Sequence, residues 1–252
     1  MPTRIFLNGS QGRMGQVIHQ IVSQRDDLVI VAGSDLITDA RAPYPIYEQP
    51  LACTVDFDVI IDFSNPSALP GLFELIRRRR CPAVICTTGL PADLEIELAQ
   101  LSQIAPIFKS ANMSLGINLL AKLARQAAHL LAPDYDIEII EAHHNQKVDA
   151  PSGTALMLAE QVNQELNGKM RLIHDRSQLC QKRNPAEIGM HAIRGGSIVG
   201  EHTVLFAGQE ELITLHHSAG SRSVFARGAI AAARFMIGKP AGLYNMNDLL
   251  EA

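Results

Sequence analysis

Four cysteines in 252 residues, with no CxxC pair among them, give no basis for a disulfide framework or a zinc knuckle. Cys53, Cys81, Cys86 and Cys180 read instead as reduced thiols of a cytoplasmic protein. Charge of one sign is lacking too: 22 basic residues against 26 acidic ones leave a net charge of −4, with a pI near 6.1. There is therefore no global positive field to draw nucleic acid or an anionic membrane. No apolar run approaches the roughly 18 residues of a membrane helix. Met1-Pro2-Thr3-Arg4 leads into an apolar run too short for the core of a signal peptide. Internal repeats and low-complexity segments are absent as well. These absences leave a cytoplasmic globular protein. At 47% hydrophobic it has material for one large domain or two modest ones.

What is present begins with strand and helix in alternation. Arg4–Leu7 is a short apolar run ending at Asn8-Gly9, and Met14–Ser23 follows with Met14, Val17, Ile18, Ile21 and Val22 on one helical side. Leu28–Ala32 then reads as a strand closed by Gly33-Ser34-Asp35, completing a βαβ unit. The pattern continues with a strand at Val59–Ile61, a helix over Leu69–Arg79, a strand at Ala83–Ile85, a helix over Asp93–Gln103 and a strand at Ile107–Lys109. Apolar strands alternating with helices predict a doubly wound parallel sheet covered on both faces, Rossmann-like in class. After Asn112 the character changes. A helix over Leu115–Leu131 stops before Pro133, a strand follows at Ile137–Ile140, and a helix runs from Ser152 to about Leu166. His191–Arg194, His202–Phe206 and Leu212–His217 are β-like and cluster as a second, mixed or antiparallel sheet. The helix over Phe225–Ile237 is placed back with the first domain.

Two stretches carry chemistry. In Asn8-Gly9-Ser10-Gln11-Gly12-Arg13-Met14-Gly15, glycines recur every three residues between strand and helix. Such a turn lets backbone approach a pyrophosphate and turns the free N–H groups of a helix start towards it. Ser10 stands where the strict G-x-G-x-x-G template has its first glycine. Asp35, about 20 residues on, ends the next strand, where a carboxylate can accept the adenosine ribose hydroxyls. It would repel a 2′-phosphate, and the residue after it is Leu36, so NADH is the expected cofactor. Arg13 and Arg41 are the cations that could still admit NADPH.

The second stretch, Glu141 to Ala155, packs two histidines, a lysine, two acids and a Ser-Gly-Thr helix start into fifteen positions. Histidine exchanges protons near neutrality. Lysine offers a cation for a carboxylate or a proton for a developing carbanion. Ser152-Gly153-Thr154, opening a helix, can hold an anionic substrate group. A metal is not expected, because His143-His144 has no ligand spacing and no neighbouring cysteine. An ordinary surface pair of Lys147 with Asp149, and an ordinary N-cap at Ser152, remain open on the residues alone.

The pattern E-x-H-H-x-x-K-x-D-x-P-S-G-T-A over Glu141–Ala155 closely resembles the signature of the dihydrodipicolinate reductases. Gly12-Arg13-Met14-Gly15 resembles that family's cofactor loop, Ile61-Asp62-Phe63-Ser64 its third strand end, and Thr87-Thr88-Gly89 the loop under the nicotinamide. Ser110 through Asn118 is similar to its hinge, and Arg194-Gly195-Gly196, Gly200-Glu201-His202 and Ser221-Arg222 to its later loops.

The resemblance implies a Rossmann-like dinucleotide-binding domain over 1–113 and 222–252, and an α+β domain with a mixed sheet over 114–221 for substrate binding and oligomerisation. By the same resemblance His143 is the general acid/base and Lys147 the proton donor, while His144 and the Ser152-Gly153-Thr154 turn hold a substrate carboxylate. Gly9, Ser10, Gln11, Gly12, Arg13 and Met14 would wrap the pyrophosphate, and Asp35 the ribose. Cys86, Thr87, Thr88, Ser110, Ala111, Asn112 and Met113 would stand at the nicotinamide end. Gln11, Cys86 and Met113 depart from the residues common there. The implied reaction reduces a cyclic imine dicarboxylate, 4-hydroxy-tetrahydrodipicolinate, by hydride from NADH or NADPH in lysine and diaminopimelate synthesis. It needs no metal and occurs in a homotetramer. Closure of the two domains, hinged near Asn112–Ser114 and Ser221-Arg222, belongs to the same expectation. A dehydrogenase of another keto or imino acid would use the same cradle, and a non-catalytic NAD sensor would leave the His-His-Lys cluster without a purpose.

Overall fold

The computed structural model describes residues 1–37, 42–177 and 179–252, which divide into two compact units, Met1–Leu115 with Ser223–Ala252, and Gly116–Arg222. The first unit holds β1 (Thr3–Asn8), α1 (Arg13–Val22), β2 (Leu28–Ser34), β3 (Ile46–Tyr47), β4 (Val59–Asp62), α2 (Leu69–Arg79), β5 (Ala83–Ile85), α3 (Ala92–Leu101) and β6 (Pro106–Lys109). Helix α4 (Leu115–Leu131) leads into the second unit, with β7 (Asp136–His143), α5 (Gly153–Glu165), β8 (Arg171–Ile173), β9 (Glu187–Arg194), β10 (Glu201–Ala207) and β11 (Leu212–Ser218). The chain returns to the first unit with α6 (Ser223–Met236), β12 (Gly242–Tyr244) and α7 (Met246–Leu250).

The seven strands of the first sheet run β12-β6-β5-β4-β1-β2-β3, all parallel. Their apolar runs are continuous because both faces are covered. Ile5, Leu7, Val59, Ile61, Val84 and Phe108 pack with α1 and α6. Phe6, Ile60, Ala83, Ile85 and Ile107, one residue out of phase, pack with α2 and α3. Each such Val, Leu, Ile or Phe side chain, once buried, stabilises the fold by about 1.5–3 kcal/mol. The sheet is the doubly wound, Rossmann-like one expected. Because every strand points the same way, the ends of β1, β2, β4, β5 and β6 share one edge, where ligands bind in open α/β sheets.

In the second unit the five strands run β11-β10-β7-β9-β8. The β10–β11 and β10–β7 pairs are antiparallel, and β7–β9 and β8–β9 are parallel, so the sheet is mixed. Ile137, Ile139, Ile188, Met190, Val204 and Phe206 face α4 and α5.

Several bounds differ from the sequence reading. β7 does not end at Ile140 but runs to His143, because β9 and β10 pair with it on both sides. β3, β8, β12 and α7, each of two to five residues, have no counterpart in that reading, since so short a segment displays no period of its own; β5, equally short, is read from its place in the strand–helix alternation. Among the described residues no helix is long and apolar enough to cross a membrane.

Candidate functional site

In the first unit the expected cofactor residues lie along the carboxyl edge of the sheet. Gly9 to Gly12 form the β1–α1 turn, Arg13 and Met14 open α1, and Asp35 follows β2. Cys86 to Thr88 follow β5, and Ser110 to Met113 follow β6. Gly9 has φ +76°, and a Cβ on it would lie 2.5 Å from the Phe63 carbonyl oxygen. A Cβ on Gly15 would come within 2.3 Å of the Gly9 carbonyl oxygen, so only glycine lets α1 pack this close under the turn. Gly12 is the N-cap of α1 and supplies no side-chain acceptor, which leaves the first-turn N–H groups to an anion.

A cavity of about 340 Å³ opens there, lined by Gly9, Gly12, Asp35, Gln49, Ser64 and other residues of this unit. Asp35 Oδ2 accepts the Gln11 backbone N–H at 2.8 Å, so one carboxylate oxygen already braces the glycine turn. Close glycine packing, an uncapped helix start and a carboxylate at the next strand end together fit a dinucleotide. Arg41 lies outside the described residues.

Not every residue in this set turns its side chain to the edge. Ser10 is fully buried with its hydroxyl unpartnered among the described residues, packed against Gly33. Met113 belongs to the apolar core. The Cys86 thiol is enclosed there too, and burial, with the charge of Asp62 beside it, pushes it well up. Only the backbone of these three residues is left to face the edge. Thr88 and Ala111, by contrast, are exposed.

Behind this edge lies a polar network of which the sequence reading gives a role to Thr87 alone. Asp62, fully buried at the end of β4, accepts from Asn8 Nδ2 at 2.7 Å, Ser64 Oγ at 2.5 Å and Thr87 Oγ1 at 2.6 Å. Asn8 in turn accepts from the Ser34 hydroxyl. Four neighbouring strand ends are thereby bonded to one another through side chains. An aspartate closing an apolar Val-Ile-Ile run was the available signal.

In the second unit the geometry centres on the end of β7. His143 Nδ1 lies 2.6 Å from Glu141 Oε2, and the Ser152 backbone N–H donates to Glu141 Oε1 at 3.0 Å. One carboxylate therefore joins the candidate acid/base to the N-cap of α5. Ser152 Oγ accepts from the Ala155 N–H at 3.2 Å and lies 3.1 Å from His202 Nε2. The His202 ring stands edge-on to His143 with centroids 5.2 Å apart. Burial, then the charge of His143, pushes His202 down to about 4, so it is neutral near pH 7. Arg194 meets Glu141 with two parallel bonds of 2.8 and 2.7 Å. Lys147 Nζ is held by Asp149 Oδ1 at 2.7 Å, and its own N–H returns to the His144 carbonyl, so the polar stretch is a tight turn. His144 and Thr154 are partly exposed and Gly153, first residue of α5, is exposed. This arrangement offers a histidine oriented for proton exchange, a nearby lysine turn and a helix start suited to a carboxylate. Glu141, Arg194 and His202 also stand here; the sequence reading names Glu141 only within the signature and Arg194 and His202 only within later loops, and assigns none of them a role.

The comparisons with known proteins agree along the whole chain. The family model described as "Dihydrodipicolinate reductase, N-terminus" matches residues 3–113, and that described as "Dihydrodipicolinate reductase, C-terminus" matches 116–250. A 4-hydroxy-tetrahydrodipicolinate reductase of Clostridium novyi is 46% identical over 250 residues, covering 99% of each chain. One from an Exiguobacterium species is 51% identical over 243 residues, 95% of this chain and 93% of that one. Among solved structures, a dipicolinate-bound dihydrodipicolinate reductase from Paenisporosarcina sp. TG-14 aligns with a TM-score of 0.82 at 25% identity, covering 98% of this chain and 99% of that one. A myo-inositol dehydrogenase from Corynebacterium glutamicum shares the fold alone, with a TM-score of 0.61 at 14% identity over 100% of this chain and 93% of that one. With both halves matched in order and relatives at this identity over nearly full length, the chain belongs to the dihydrodipicolinate reductase family.

Proposed function

We propose that this chain reduces 4-hydroxy-tetrahydrodipicolinate, the substrate its relatives are named for, to tetrahydrodipicolinate in lysine and diaminopimelate synthesis. The observation that carries the reading is the shared carboxylate of Glu141, which holds both the candidate acid/base His143 and the start of α5. The 4-hydroxyl leaves as water to give a conjugated imine, and a bound nicotinamide dinucleotide would supply the hydride that ring carbon C4 accepts.

The chain's own residues do the rest. His144, Gly153 and Thr154, with Ser152 fixed as N-cap, anchor a substrate carboxylate against the positive end of α5. Hydride addition leaves negative charge on the conjugated imine, and His143 or Lys147 delivers the proton that quenches it. Lys147 Nζ is bonded to Asp149 Oδ1, which limits where its ammonium can reach. Positioning matters as much as acidity, because hydride transfer demands near contact of donor and acceptor carbons. On the nucleotide side, Gly9 to Met14 wrap the pyrophosphate, and the residues after β5 and β6 hold the nicotinamide end. Asp35 takes the ribose and favours NADH over NADPH. A cytoplasmic homotetramer completes the proposal.

The test is oxidation of NADH and of NADPH followed by absorbance, with substrate made in place by a dihydrodipicolinate synthase from pyruvate and aspartate semialdehyde. Oxidation that depends on the synthase is the expected result. Dinucleotide binding with no turnover would overturn the reading and favour a sensor.

A further inference from the structure

Glu141 is 1% exposed, and the chemistry proposed above gives it no step of its own. Burial alone would push its carboxyl up. The bonds from Arg194, His143 and the Ser152 N–H outweigh burial and hold it below the usual range, so it is ionised and accepts only. An acceptor-only partner at Nδ1 puts the ring proton on that nitrogen and leaves Nε2 to exchange protons. Among the described residues nothing bonds His143 Nε2. A Cβ at Gly200 would lie 3.1 Å from it, so the glycine keeps that edge of the ring uncrowded.

The other oxygen of the same carboxylate pins Ser152. Arg194 extends the frame, because its guanidinium also donates to the Asp149 carbonyl at 2.7 Å, at the end of the turn that carries Lys147. A buried ion pair gains little stability over apolar residues of the same size, since both charges must be desolvated. What a carboxylate does here that an apolar side chain cannot is direct a ring proton and a helix start together.

We propose that Glu141, paired with Arg194, is a positioning residue that fixes the Nδ1–H tautomer of His143 and the seat of the α5 N-terminus at once. It acts through His143 and Ser152. The inference rests on the reading of His143 as the proton-transfer group.

Two measurements test it. Nitrogen-15 spectra of the wild-type histidines, with His143 assigned against His143→Gln, should show Nδ1 protonated and Nε2 bare in the neutral ring. The opposite tautomer overturns the inference without any variant at Glu141. Glu141→Gln, nearly the same size, should lose about 10- to 100-fold in kcat and raise KM for the imine, with NADH affinity unchanged. Its His143 ring should become a mixture of tautomers. Unchanged kcat and an unchanged tautomer in that variant, while His143→Gln is impaired, overturn this inference alone. Unchanged turnover in His143→Gln overturns the reading beneath it. Should Glu141→Gln not fold, the wild-type tautomer decides.

Discussion

Thr87 Oγ1 donates a 2.6 Å hydrogen bond to Asp62 Oδ2, tying the loop after β5 to the end of β4 around a fully buried carboxylate. The other carboxylate oxygen takes Asn8 and Ser64. Asp62→Ala strands three side-chain donors and the Ser64 backbone N–H, and should cost about 2–4 kcal/mol in urea unfolding. Asp62→Asn keeps an oxygen acceptor, and a hydroxyl neighbour can rotate to accept its amide, so it should cost less. The two variants also separate charge from shape. Burial raises the Asp62 carboxyl, more than its hydrogen bonds lower it. The contribution of this group is therefore fully present below the unfolded carboxylate pKa and is lost as pH rises through the raised folded value. Stability of Asp62→Asn relative to wild type should accordingly improve with rising pH. A pH-independent difference would mean that Asp62 carries no shifted titration.

Gly15→Ala should weaken dinucleotide binding by about tenfold or more, because its Cβ would lie 2.3 Å from the Gly9 carbonyl oxygen and push α1 off the turn. Fluorescence titration with NADH is the measurement. Substrate-side residues of the second unit are untouched by this change, so the loss should appear in cofactor affinity first. Wild-type affinity in Gly15→Ala would show that the turn does not grip the pyrophosphate.

The nucleotide edge was legible because its parts are contiguous: Gly9, Gly12 and Gly15 in one turn, and Asp35 at the next strand end. The Glu141–Ala155 stretch was legible for the same reason. Glu141–Arg194 and Asn8–Asp62 were not, because the partners lie 53 and 54 residues apart and meet only through strand pairing. Arg194 reaches Glu141 because β9 runs parallel to β7, with His143 beside Arg194 in register. Pattern reading foretold a strand at each place but not their order in the sheet. Helix α7 is a different case: its capping box, Asn245 with Asp248, stood in the sequence, but five residues give no helical period.

His202 should stay neutral down to about pH 4, with burial as the main cause and the charge of His143 second. Since the folded form disfavours its proton, the associated stability is present above the unfolded value near 6.5 and is lost as pH falls towards 4. The loss amounts to about 3 kcal/mol at most. Proton NMR titration of the ring gives the pKa directly. Thermal unfolding over the same window should show a shallower acid decline in His202→Asn than in wild type. A ring that protonates near 6.5 would mean that it is not enclosed as described.

Lys147→Ala should lower both turnover and affinity for the imine dicarboxylate while leaving NADH binding intact. Its ammonium is bonded to the exposed Asp149 carboxylate, an arrangement worth about 1 kcal/mol or less to folding. Steady-state kinetics beside thermal melts separate the two contributions. Loss of stability alone would return Lys147 and Asp149 to an ordinary surface pair.

Asp35 has two tasks that substitution can part. Its Oδ2 braces the glycine turn through the Gln11 N–H, while its charge would repel a ribose 2′-phosphate. Asp35→Asn retains an acceptor for Gln11 and removes the charge, so the ratio of NADPH to NADH affinity should rise about tenfold, with NADH binding only modestly weaker. Asp35→Ala removes both, and should weaken the two cofactors together because the turn loses its brace. Isothermal titration of both dinucleotides against the three proteins gives the comparison. If the ratio is the same in wild type and Asp35→Asn, the carboxylate braces the turn and takes no part in choosing the cofactor.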